Sequence, residues 1–106
     1  MKKNVYALRA ELWPYHGKAA WHFITLPKKQ AADIKEHFGA KARGWRSLRV
    51  AVTIGSTRWL TSIFPDSSSG SYLLPVKASV RKKEKLPDGK TVSFSLEILS
   101  SYEKKL

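Results

Sequence analysis

Lys41, Arg43, Arg46, Arg49 and Arg58 fall within residues 37–65, a stretch without a single acidic residue in which Trp45 sits among the cations. Arginine presents a planar fork of donors that matches phosphate oxygens, and an indole can stack on an unpaired base. A second basic cluster, Lys77, Arg81, Lys82, Lys83, Lys85 and Lys90, is diluted only by Glu84 and Asp88. On a helix, Lys77, Arg81 and Lys85 repeat every four residues and share one face. The chemistry these residues suit is phosphate contact with little base readout, so DNA or RNA is an expected partner through Lys41, Arg43, Arg46, Arg49, Arg58, Lys77, Lys82 and Lys85. The plainer reading is a set of solvated basic faces, with Trp45 anchoring its connector to the core.

A second kind of site centres on Arg81 with Ser62. There a guanidinium and a hydroxyl at the mouth of a barrel, near the serine-rich 65–70 loop, would hold a small ligand or a protein segment. Catalytic chemistry finds no support. His16, His22 and His37 lack the mutual spacing of metal ligands. The nucleophile elbow and the phosphate-cradling glycine loop are absent, and Glu11, Asp66, Glu84 and Glu97 form no pair of the glycosidase kind. The expectation is a non-enzyme with no catalytic residue, no metal and no cofactor. With no cysteine in the chain, disulfides and thiolate sites are excluded.

Whatever these residues do, a single small domain must position them. The 106 residues carry a net charge of +12, a surplus that favours polyanions. No apolar run approaches the roughly 20 residues of a membrane span, and Arg9 and Glu11 interrupt the apolar region that an export signal opening at Lys2 and Lys3 requires. A cytoplasmic, monomeric protein without a membrane partner is expected. Residues 1–106 read as one barrel domain with its core at about 5–98 and a polar tail at 100–106.

Strands are expected where apolar residues alternate: 5–13, 20–26, 48–54, the run after Gly55-Ser56, 71–74 and 92–98. Gly55-Ser56 suits a two-residue hairpin turn. That turn pairs Ile54 with Thr57, Val52 with Trp59, Val50 with Thr61 and Leu48 with Ile63 on the core face, and it sets Arg49 across from Ser62 and Thr53 across from Arg58 on the other. Helices are expected from Pro27 to a stop at Gly39, with Ala31, Ile34 and Phe38 inward, and over residues 76–86 with Val80 inward. Residues 40–47 form a basic connector and 65–70 an exposed loop. Trp13, Trp21, Phe23, Phe38, Trp59, Phe64, Tyr72 and Phe94 are mostly core by alternation, although Trp13 and Trp21 lie opposite Leu12 and Ile24 and suit an exposed patch or partner surface.

Two segments, 23–39 and 71–89, repeat a plan of strand, Leu-Pro, helix and glycine, with Phe38 and Leu86 each eleven residues past their proline. A strand-helix unit used twice predicts a mainly β fold with two short helices: a single-chain barrel with pseudo-two-fold symmetry, capped by strand-loop-helix units. The motifs AELW, WHFITLP, VTIG, WLTSIFP, GSYLLPVKASVR and DGKTV, in this order, resemble an uncharacterised bacterial domain family, called YdeI/OmpD-associated when fused to other domains. The resemblance covers roughly residues 5–98. It implies the double-split barrel shared by the AbrB, MazE and MraZ regulators, in which two swapped chains complete one barrel. Here one chain holds both halves. The resemblance brings no activity with it, and DNA enters only by analogy of fold.

Overall fold

The computed structural model describes residues 4–17, 21–41 and 46–99. Six strands follow the alternation of the sequence: β1 (Val5–Pro14), β2 (His22–Thr25), β3 (Leu48–Ile54), β4 (Thr57–Asp66), β5 (Ser71–Pro75) and β6 (Thr91–Ile98). They close into an antiparallel barrel in the order β1-β2-β5-β4-β3-β6. Two helices, α1 (Lys28–Phe38) and α2 (Ala78–Lys83), follow β2 and β5. Leu12, Ile24, Val50, Val52, Ile63 and Leu96 are fully buried inside the barrel, and Ile34 of α1 and Val80 of α2 are buried against it.

The β3–β4 hairpin has the register that a Gly55-Ser56 turn dictates, from Ile54 opposite Thr57 to Leu48 opposite Ile63. Gly55 supplies the positive φ, 58°, that this turn needs. Leu48, Val50, Val52, Ile54, Trp59 and Ile63 are buried, whereas Arg49 and Arg58 are exposed on the other face.

The helices depart from expectation at their ends. Pro27 is the N-cap rather than the first helical residue, with ψ at 141°; its carbonyl still accepts the Ala31 N–H at 2.9 Å. Gly39 is right-handed, so it does not stop the chain, which tightens into a 3-10 turn over Gly39–Lys41. The second helix is six residues long, not eleven. Lys85 takes φ 56°, Lys85 N–H bonds to the Lys82 carbonyl, and Leu86 N–H bonds to the Arg81 carbonyl. That pair of bonds is a Schellman stop, here without glycine, and it buries Leu86 against the core. Lys85 therefore does not continue a helical face with Lys77 and Arg81.

The aromatic residues divide. Trp59, Tyr72 and Phe94 are buried and Phe38 packs on the core. Phe64 is 38% exposed and Trp21 53%, so neither is a core residue. Phe23 lies on the outer surface of the barrel, where Trp21 stacks on it at 5.9 Å and Trp13 and Tyr15 pack against it. The reason is parity: Ile24 faces inward, so its neighbour Phe23 must face out.

The connectivity is compatible with a pseudo-two-fold. Exchanging β1, β2 and β3 with β4, β5 and β6 regenerates the same strand cycle. Where β2 meets β5, Leu26 N–H bonds to the Tyr72 carbonyl and Val76 N–H to the His22 carbonyl, a reciprocal pair that matches Leu26 with Val76. Each helix is also tied to the first strand of its half by a hydroxyl-to-carboxylate bond, Tyr6 to Asp33 at 2.7 Å and Thr57 to Glu84 at 2.6 Å. On this matching Pro27 corresponds to Lys77, and both are N-caps. The two Leu-Pro pairs are therefore not equivalent.

Candidate functional site

That offset of two residues creates a cleft. β5 pairs with β4 only through Phe64–Leu73, Pro65–Tyr72 and Asp66–Ser71. The next bonded pair would join Ser62 to Pro75, and Pro75 has no N–H to give to the Ser62 carbonyl. The ladder ends there. β5 then leads into α2 while β4 continues along β3, and a space of about 500 Å³ opens between them.

The walls of this cleft combine cations with apolar surface. From β4 come Trp59, Leu60, Thr61, Ser62 and Phe64; Arg49 reaches in from β3; Pro75, Val76, Lys77, Ala78 and Arg81 form the opposite wall; Trp21 and His22 close one end. Arg49 Nη1 donates to Ser62 Oγ at 3.4 Å, a long bond that lays the guanidinium along β4. Arg81 Nε donates to the Val76 carbonyl at 3.1 Å. This fixes the plane of the fork, and its remaining N–H groups have no partner among the described residues. His22 Nε2 is 2.8 Å from Asp88 Oδ1, a contact that holds the ring at the rim. Among the described residues no carboxylate lines the cleft; Asp88 touches only its rim through His22, so an anion entering it meets Arg49, Arg81 and Lys77.

The structure thus brings four sequence candidates together: Arg49, Ser62, Lys77 and Arg81. It places the others elsewhere. Arg58 Nη2 is 3.8 Å from Glu97 Oε1. Arg46 lines a separate hollow with Asp66 and Tyr72; burial raises the Tyr72 phenol above its ordinary value, and the Arg46 charge works against that rise. Lys82 and Lys85 are exposed and do not line the cleft. Lys41 lies in the 3-10 turn, and Arg43 and Trp45 lie outside the described residues, as does the 100–106 tail.

The expected 65–70 loop is shorter, because Pro65 and Asp66 still pair with β5 as the end of β4 and only residues 67–70 turn, and Arg81 does not meet it. The loop and α2 sit at opposite ends of β5, and the loop is internally satisfied: Asp66 Oδ2 accepts the Ser69 N–H at 3.1 Å and the Ser69 hydroxyl at 2.7 Å. Sequence reasoning offered Trp21 for an exposed patch or partner surface, which fits its place at the cleft, and missed Leu60 and Phe64 as wall residues. Their signal was present, because each is a large apolar residue on the outward parity of its strand. Among the described residues no cluster of histidine and carboxylate side chains could hold a metal ion, and no helix is long and apolar enough to cross a membrane.

A family model described as a domain of unknown function, DUF1905, matches residues 9–96. No curated protein matches the chain.

Proposed function

The chain belongs to the DUF1905 family of domains of unknown function, and from its cleft we propose that it is a non-catalytic binding module for an anionic ligand with an apolar flank. One observation carries this reading: Arg49, Lys77 and Arg81 converge with Ser62 on a cleft whose other walls are Trp21, Trp59, Leu60 and Phe64. Forked arginines suit a carboxylate or phosphate, and the volume lies in the range of small-ligand sites, about 300–1,000 Å³.

Phenyl phosphate and phenylacetate, titrated against neutral phenylacetamide by tryptophan fluorescence and calorimetry, test the reading. The two anions bind and the amide does not. Arg49→Ala and Arg81→Ala each weaken the anions about tenfold or more, the scale of a lost charge-assisted hydrogen bond. Unchanged affinity in both folded variants sinks the proposal.

A nucleic-acid strand is the second reading, favoured by the exposed indole of Trp21 beside these cations. It predicts oligothymidylate binding that falls steeply between low and moderate salt. We also propose a cytoplasmic setting and kinship with bacterial YdeI/OmpD-associated domains and the AbrB-like barrels, supported by the ordered motifs and the two strand-helix halves.

A further inference from the structure

We propose that the occupant of the cleft is an extended acidic peptide that adds as a strand to the open edge of β4. This rests on the anion-binding reading of the same cleft and names its ligand.

Backbone parity is the first ground. The two-residue turn makes Ile54 and Thr57 a hydrogen-bonded pair, so Trp59, Thr61 and Ile63 bond to β3. Arg58, Leu60 and Ser62 then point their N–H and C=O groups the other way. The β2–β5 contact gives the same parity independently. Leu26 N–H bonds to the Tyr72 carbonyl, so Ser71 and Leu73 face β4, and their partners Asp66 and Phe64 face β5. Ser62 and Leu60 continue that series into the cleft, with no main-chain partner among the described residues. Their donors and acceptors have the spacing of a β ladder, which peptide main chain matches and a nucleic-acid backbone does not.

The contrast with the other half is the second ground. β1 pairs with β2 only through Leu12, Trp13 and Pro14, so β1 has an open edge as well. Leu12 bonds to Gly89 and Lys90 on the β6 side, which turns Arg9 and Glu11 toward the gap. Alternating charges of this kind blunt an edge against pairing. The corresponding β4 positions are Leu60, 53% exposed, and the uncharged Ser62, with Phe64 beyond them.

Charge settles the kind of peptide. Arg49 on β3 and Arg81 and Lys77 on the facing wall bracket the edge, and among the described residues no acid lines the cleft. A second copy of this chain, itself at +12, would set Arg58 and Arg49 against their like.

The immobilised full chain is offered two pools of acetylated octapeptides, one with Glu and one with Lys at every second position and randomised residues between. The Glu pool is retained and the Lys pool is not. The strongest binder is then resynthesised in two frames, with main-chain N-methyl groups on odd or on even residues. In an added strand one frame faces β4 and the other faces away, so one frame loses about tenfold or more in affinity and the other little. Hydrogen exchange at the Leu60 and Ser62 amides slows in the complex. Equal binding of both frames, no enrichment of the Glu pool, or unchanged exchange at those amides overturns the inference. If phenyl phosphate still binds in an Arg81-dependent way, only the strand addition has failed. If Arg49→Ala and Arg81→Ala leave phenyl phosphate binding intact, the anion reading beneath it has failed.

Discussion

Tyr6 shows how a single side chain joins a strand to a helix and makes stability depend on pH. Its hydroxyl donates to Asp33 Oδ2 at 2.7 Å. Burial first, then this bond and the Asp33 charge, raise the phenol well above its ordinary value. A phenol that holds its proton more tightly when folded contributes stability that is complete below the unfolded value of about 10 and is lost as pH climbs past it. Alkaline pH acts on the rest of the protein as well, so the comparison must be with Tyr6→Phe. Thermal melts at pH 8 and pH 11 should show the wild type losing more than the variant. At pH 8 the variant should be less stable by about 1 kcal/mol, the net worth of one hydrogen bond. Parallel losses across the two pH values would show that Asp33 does not hold the phenol.

At the scale of elements, hairpin register, barrel strands and inward helix residues were all legible, because each rests on local periodicity. Val50, Val52, Trp59 and Ile63 announce one face, and Gly55 fixes where it folds over. Helix ends were less legible. Residues 76–86 read as one helix because nothing local forbids it; the stop comes from burial of Leu86, a tertiary demand that forces Lys85 into the left-handed region. The cleft was hidden for a similar reason. Arg81 and Ser62 stood out by type, but the edge between them depends on the β4–β5 register, which sets Pro75 opposite Ser62 only once the 67–70 turn is counted. The Lys85 stop is itself testable. Left-handed backbone costs a non-glycine residue about 1–2 kcal/mol, whereas glycine adds about 0.5–1 kcal/mol of unfolded-state entropy. The first effect wins, so Lys85→Gly should stabilise the domain by about 0.5 kcal/mol and raise Tm by about 2–4 °C. A lower Tm would mean that the lysine side chain contributes at the stop.

For the molecule as a whole, two electrostatic effects of different reach can be separated. A net charge of +12 on 106 residues is self-repulsive, and added salt of any kind screens it, since the Debye length falls from about 30 Å at 0.01 M to about 10 Å at 0.1 M. Sodium chloride should therefore raise Tm without regard to where the cations lie. Binding in the cleft adds a second effect that depends on the identity of the anion, because a ligand taken only by the folded state stabilises it by RT ln(1 + L/Kd), where L is the free ligand concentration. At matched ionic strength, phenyl phosphate should raise Tm above the chloride value. The excess should shrink in Arg81→Ala, whose response to chloride stays close to that of the wild type because one charge in twelve has been removed. If the two anions raise Tm equally in the wild type, the cations act only as a diffuse field and the cleft holds no ligand of this kind. An excess that is undiminished in Arg81→Ala but disappears in Arg58→Ala would move the binding surface to the outer face of the β3–β4 hairpin, where Arg58 lies near Glu97.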